Sequence, residues 1–457
     1  MAADIVTRTL RLGALAEALL FATTKGTDAM IYKPDDIHMW DTWGIHHDGT
    51  WYLYKLTASQ WHAWDGVAVA SSSDGVHWQE RSRPIAKRDS CVWLGTGSTW
   101  KSPSFDRDGM FQCNFSEQPK GEAQHIYFAQ SRDLVNWERV DVEFRQDPRW
   151  YKERGRWDCI YTIPRPGGGY YGYWTATPND FVGFGFGQTE DGIHWEALPP
   201  PELDWGENEI PHAIEIGAVE RVGETYVALV GARGDMLTFL ADAPEGPFRA
   251  APNNLFLLTG DCYFARFFPS PEGLLLTHHS TTHLQRGTKR VCYAAPLKRV
   301  VRDENDTIRL MWRKANDALK RTQRSVNTSS DGSDAGTAWA GTSLDIRRGT
   351  VLEGTLRLGS SEQGGPVDIV LEAELDQVRA IRINSDGTVE CGAYGHDGAT
   401  VHRHQRPVNR GRALGPETRF RLLLRYSFFN DTATAEIYTV FSLPTPATGR
   451  VGFRAAD

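Results

Sequence analysis

The chain has cysteines but no pattern that would put them to use. The six, at positions 91, 113, 159, 262, 292 and 391, include no pair with CxxC spacing, which leaves no zinc or redox signature and reads as buried free thiols. A basic excess is also missing. Fifty Lys and Arg face 58 Asp and Glu, for a formal net charge of -8. Without surplus cations there is nothing to neutralise phosphates, so nucleic acid is not an expected partner. No apolar run reaches the roughly 20 residues needed to span a bilayer. The partly apolar stretch Leu10–Ala22 is interrupted by Arg11 and Glu17, and Asp4 spoils a basic leader. The expectation is therefore a cytoplasmic chain with no membrane attachment.

What is abundant is tryptophan, sixteen residues of it, and it recurs in a pattern. The phrase Ser-x-Asp-Gly-x-x-Trp runs from Ser72 to Trp78, returns as Asp133–Trp137 and Asp191–Trp195, and degenerates to Ala243–Phe248. A fifth, longer version ends at Trp312. The closing aromatics recur about every 53 to 64 residues. Asp-Gly before an aromatic is hairpin chemistry, because glycine accepts positive φ and the ring folds back on the sheet. Each copy follows a short strand-like run. Earlier in the units stands a second hairpin signal: Asp48-Gly49, Gly167–Gly169 and Gly223. Four short strands per unit, repeated five times, predict an all-β, five-bladed β-propeller over residues 30–320.

Residues 1–29 read as an N-terminal segment. Residues 321–340 lose apolar periodicity and gain Ser, Thr, Asn, Asp and Gly, the composition of a linker. From 341 to 457 strand-like runs resume without the repeat and predict a C-terminal β-sandwich.

The first strands of propeller blades run parallel along the axis, so side chains at one phase of each converge at one mouth. Counting back from the first hairpin glycine puts Asp41 eight residues before Gly49, Glu215 eight before Gly223, and Asp158 ten before Gly168. Blade two offers Lys101 or Ser102 at that phase, and blade five offers Asp261 to Tyr263. Converging carboxylates repel, so one of them should keep a proton near neutral pH. A carboxylic acid beside a carboxylate is what glycosidic bond cleavage uses. Glu207 and Glu209, in a Pro-flanked loop, and Asp35 and Asp36, outside the strand, compete less well.

With these residues in place, the chain resembles glycoside hydrolase family 32, the invertase, inulinase and levanase group, whose architecture is a propeller followed by a sandwich. Trp40-Asp41-Thr42-Trp43-Gly44 is similar to the family's Asn-Asp-Pro-Asn-Gly, keeping the Asp and the Gly. Trp100-Lys101-Ser102-Pro103-Ser104 is similar to its Phe-Ser-Gly-Ser-Ala. Arg156-Trp157-Asp158-Cys159 resembles Arg-Asp-Pro with one residue inserted, and Glu215-Ile216-Gly217 keeps the acid of Glu-Cys-Pro. The resemblance implies a retaining glycosidase that cleaves a fructofuranoside, with a small glycoside or oligosaccharide as substrate and no cofactor. It implies Asp41 as nucleophile, Asp158 as transition-state stabiliser with Arg156 beside it, and Glu215 as acid and base. The altered flanks of the three acids keep arabinofuranosidase and xylosidase propellers open as alternatives, together with a fructosyltransferase and a non-catalytic carbohydrate-binding propeller.

Trp40, Trp43, Trp100, Trp157 and Tyr263 flank the three acids and are candidate walls for stacking on a sugar, with blade-core packing the competing use. Lys101, Ser102 and Arg156 complete the candidate substrate-binding set. A phosphorylase would want a cationic pocket for phosphate, and near the axis the sequence offers only Lys101, Arg156 and Arg266. His278, His279 and His283 lack metal-ligand spacing, so no metal is expected.

Overall fold

The computed structural model of the chain describes residues 15–22, 32–34, 37–252, 255–258, 262–283, 290–302, 307–320, 322–326, 328–329, 338–345, 350–357, 366–373, 377–384, 388–395, 397–403, 417–424, 428–431, 437–440 and 448–455. It divides into two compact units, Thr27–Leu319 and a second made of Met1–Gly26 with Lys320–Asp457. The first is a five-bladed β-propeller. Its inner strands are His38–His47, Cys91–Lys101, Trp157–Pro164, Glu215–Val222 and Cys262–Ser270. Each heads an antiparallel sheet whose strands follow in chain order outward from the axis, with small extra strands in blades four and five. Each inner strand packs against the next, and the fifth packs against the first, which closes the ring.

The recurring phrase is the hairpin joining the third and fourth strands. Ser72 Oγ accepts from the Gly75 N–H at 2.9 Å, and Asp74 Oδ1 accepts from Val76 and His77 N–H at 2.8 and 2.9 Å. Ser131 with Asp133 and Thr189 with Asp191 make the same bonds. The side-chain oxygens thereby satisfy donors that the turn strips of backbone partners. The residue at the bend has φ of +66° at Gly75 and +83° at Gly192, and Leu134 takes the same left-handed conformation at +64°. Phe248 opens the fourth strand of blade four in the same manner. The fifth copy departs: Trp312 ends its strand, Ile308–Trp312, instead of opening one.

The second unit is a β-sandwich of a six-stranded and a seven-stranded sheet as far as the described residues go. Here two sequence boundaries need correction. The N-terminal segment is not a separate piece: Leu15–Ala22 is a strand paired on one side with Thr322–Val326 and on the other with Thr350–Arg357. The stretch 321–340, expected as linker, carries Thr322–Val326, Thr328–Ser329 and the start of Ala338–Asp345. Thr and Ser are as compatible with sheet pairing as with loops, so polar composition alone misled. In the core of this unit Arg382 donates to both oxygens of Asp368, at 2.7 and 2.9 Å, and lies over the Tyr394 ring.

The propeller ring is locked by blades five and one. Tyr32, ahead of blade one, exchanges backbone hydrogen bonds of 3.1 and 2.8 Å with Ala294 of blade five. Arg313, buried at the end of blade five, grips both oxygens of Glu272, donates to the Gly75 carbonyl of blade one at 3.2 Å, and covers the Trp51 ring. Replacing Arg313 with Ala removes a charged bond pair and a bond across the closure, and should lower propeller stability by about 2 kcal/mol. Urea unfolding followed by tryptophan fluorescence measures this. An unchanged midpoint would show that the ring does not depend on this latch.

Candidate active site

All five inner strands break their ladders near the same level. Register shifts fall between Trp40 and Thr42, Gly95 and Ser98, Asp158 and Tyr161, Ile216 and Ala218, and Tyr263 and Arg266. Three of these bulges hold a non-glycine residue in the left-handed region: Asp41 at φ +34°, Cys159 at +47° and Phe264 at +48°. A bulge re-aims the side chains beside it, and such strain persists only where the surrounding packing enforces it.

These bulges gather the carboxylates. Arg156 Nη2 lies 2.7 Å from Glu215 Oε1 and 3.6 Å from Asp158 Oδ2, tying blades three and four. Asp158 also accepts a short hydrogen bond from the Ser116 hydroxyl, which in turn accepts from Gln124 Nε2 at 2.9 Å. Gly95 stands at the matching level of blade two, and a Cβ there would fall 2.8 Å from Asp158 Oδ1, so only glycine leaves room. Asp41 Oδ1 lies 3.5 Å from His279 Nδ1 and has no hydrogen-bond partner among the described residues. Side-chain exposure rises from 7% at Asp158 and 11% at Asp41 to 25% at Glu215, so Glu215 is the member nearest solvent.

The electrostatics follow from this crowding. Burial, then the charges of Glu215 and Asp158, push the Asp41 carboxyl well above the usual range, against the opposing pull of Arg266 and Arg156. Burial also raises Asp158, but Arg156 and the Ser116 bond oppose it. Burial holds His279 neutral, its pKa lowered to about 3. Tyr263 stands against Glu215, and burial followed by that carboxylate raises its phenol.

Beside Asp41 is an aromatic wall. The Trp40 ring lies 4.1 Å from His279, 5.5 Å from Trp61 and 5.9 Å from Trp64, centroid to centroid. The sequence reading did not find His279 as a neighbour of Asp41, nor Ser116, Gln124, Gly95, Trp61 or Trp64. Most lie on second strands or on the loops that leave them. Those loops open at the same mouth as the starts of the inner strands, and that topological rule was the available signal.

Asp41, Asp158, Glu215, Arg156, Trp40 and Tyr263 thus come together, and five other candidates do not. Trp157 is fully buried between blades, bonded to the Phe144 carbonyl at 2.9 Å. Trp100 is buried and bonded to Gln112, and Trp43 is buried and stacked on Tyr54. Lys101 and Ser102 lie at the other end of their inner strand. Blade two's first connection contains a helical turn, Phe105–Asp108, capped by Gly109, so an eight-residue count back from that glycine stops at Lys101, at the far end of the strand, short of Gly95. Ser102 binds Asp108 at 2.8 Å and steadies that turn. Glu209 pairs with Arg233. Asp35, Asp36, Asp261 and the His283 side chain lie outside the described residues. Among the described residues no group of three or more His, Cys, Asp or Glu is placed to hold a metal ion.

A five-bladed propeller followed by a β-sandwich is an architecture with solved counterparts. No sequence-family profile and no curated protein sequence matches the chain. In structure it is similar to a glycoside hydrolase family 32 β-fructofuranosidase from Bombyx mori, solved as a D63A mutant with sucrose, at 12% identity and a TM-score of 0.64, covering 93% of this chain and 90% of that one. It is similar to fructan 1-exohydrolase IIa from Cichorium intybus at 12% identity and a TM-score of 0.63, covering 93% and 95%. It is also similar to an exo-inulinase from Aspergillus awamori at 11% identity and a TM-score of 0.61, covering 95% and 96%. At these identities what is shared is the fold.

The raised Asp41 makes a stability prediction. Its contribution is fully present below the unfolded carboxyl pKa of about 3.9 and is lost as pH rises through the higher folded value. Asp41→Asn should therefore melt above the parent at neutral pH, by roughly 2–4 °C per kcal/mol relieved. The gap should widen from pH 5 to pH 8. Calorimetry of both proteins measures it, and a gap that narrows with rising pH would contradict the burial of an ionisable Asp41.

Proposed function

We propose that the chain is a retaining glycoside hydrolase acting on a fructofuranoside. The observation that carries this reading is the convergence of Asp41, Asp158 and Glu215 from three inner strands on one mouth, with Arg156 bridging two of them. Asp41 attacks the anomeric carbon while Glu215 gives its proton to the departing oxygen. Glu215 then takes a proton from the water that releases the sugar from Asp41. Asp158, held by Ser116 and Gln124, has little freedom to move and serves to bind sugar hydroxyls. Trp40 and its aromatic neighbours supply an apolar wall beside the reacting carbon. The choice of a fructofuranoside is supported by what the similar structures are named as cleaving.

Three crowded carboxylates are poorly matched to an empty site and well matched to an oxocarbenium-like centre, whose positive charge favours their ionised forms. Because Asp41 must be ionised to attack, activity should fall as pH drops through its raised pKa. The acid limb of kcat/KM should therefore lie above the ordinary aspartate range, and Arg156→Met should move it higher still.

The decisive experiment uses purified protein with sucrose, inulin-type fructans and aryl furanosides, following product anomers by NMR. Asp41→Ala should abolish turnover. Glu215→Gln should lower it by about 10²–10⁴, less for aryl substrates whose leaving group needs no proton. Net inversion would exclude the double displacement. Sugar binding without turnover, equal in the parent and in Asp41→Ala, would favour a binding module.

A further inference from the structure

His279 belongs to the second strand of blade five, Gly273–His283, where it pairs with Tyr263 on the inner side and Ala294 on the outer. Its side chain is fully buried and reaches blade one, with Nδ1 3.5 Å from Asp41 Oδ1. Aromatic rings hold it in place: its centroid lies 4.1 Å from that of Trp40 and 6.2 Å from that of Tyr263. Both ring nitrogens of His279, and Asp41 Oδ1, are buried atoms with no hydrogen-bond partner among the described residues. The other two acids are better served, Asp158 by Ser116 and Glu215 by Arg156.

A neutral imidazole carries one N–H and one lone pair, on different nitrogens. Burial keeps this ring neutral, and a buried donor left unused is costly. Asp41 Oδ1 is an acceptor in the same condition, on the Nδ1 side of the ring. The partners of the two nitrogens decide which of them is protonated, and here the partner on offer is a carboxylate. A contact of 3.5 Å is still too long for a good hydrogen bond. Bonds between catalytic groups are often long before substrate binds and shorten in the reacting complex.

We infer that His279 is the positioning residue of the nucleophile, carrying its proton on Nδ1 and donating a hydrogen bond to Asp41 Oδ1 when that carboxyl ionises. The role rests on the glycosidase reading, because it acts through Asp41. The bond orients the carboxylate and favours its charged form. It opposes burial and the charges of Glu215 and Asp158, and adds to the pull of Arg266 and Arg156. The Tyr263 phenol also faces Asp41 and, raised by burial and by Glu215, stays neutral throughout.

Two variants of the full chain test this, with turnover of sucrose and an aryl fructofuranoside followed against pH. His279→Leu removes the donor and should move the acid limb of kcat/KM up by about one pH unit. His279→Asn, whose amide nitrogen takes the place of Nδ1, should bring the limb back. A limb unmoved in His279→Leu with only kcat lowered, or one that His279→Asn does not restore, would mean that the ring merely packs, and would overturn the assignment. Where either variant fails to fold, neutron diffraction from crystals of the parent, grown above the pH of the acid limb, locates the proton directly. A deuteron on Nδ1 facing Asp41 is expected, and a bare Nδ1 would overturn the assignment equally. A parent without turnover would remove the glycosidase reading itself, a result distinct from an unmoved limb in an active enzyme.

Discussion

Everything at the active mouth depends on holding three carboxylates together in a place with little water. Two unit charges about 4 Å apart interact by roughly 4 kcal/mol at the effective dielectric of a protein surface. A whole domain is stable by only about 5–15 kcal/mol, so such a cluster is a large local cost. The fold meets it with rigidity and with cations. Bulges at one level of the five inner strands fix the directions of Asp41, Asp158 and Glu215, and the ring closure through Arg313 and Tyr32 keeps those strands in register around the axis. Arg156 and Arg266 then offset part of the repulsion.

How much of this could be read from the sequence follows from where hairpins are short. In blades one, three and four the inner strand runs directly into a tight turn, so counting back from glycine finds Asp41, Asp158 and Glu215. Blade two inserts a helical turn before Gly109, and the same count lands on Lys101, at the far mouth. The position it should have found is Gly95, a residue whose use is to be absent beside Asp158. Tryptophans near the acids in sequence alternate in direction along a strand, so Trp40 reaches the mouth while Trp43 stacks in the blade core. His279 was visible as a residue but not as a neighbour, because only pairing of the second strand with Tyr263 brings it to Asp41.

The fold boundaries show the same limit. Repeats within the propeller are local in sequence and were legible. The strand Leu15–Ala22 belongs to a sheet whose other members begin at Thr322, and no local signal links segments so far apart.

The charge arrangement of the mouth is the reverse of what the proposed double displacement needs. Burial and its neighbours favour a proton on Asp41, and Glu215 is clasped by Arg156. The proposed turnover requires an ionised Asp41 and a protonated Glu215. A sugar in the site can supply the change from both sides. Its leaving oxygen would take the place of Arg156 at Glu215, the most exposed of the three acids, while positive charge developing at the anomeric carbon would favour the Asp41 anion. Arg156 has 44% of its side chain exposed, whereas Arg266 is buried, bonded across the axis to Ser98, and acts on Asp41 as a fixed positive charge. On this reading the site is poised not by the resting charges but by the difference between one exposed arginine and one buried one.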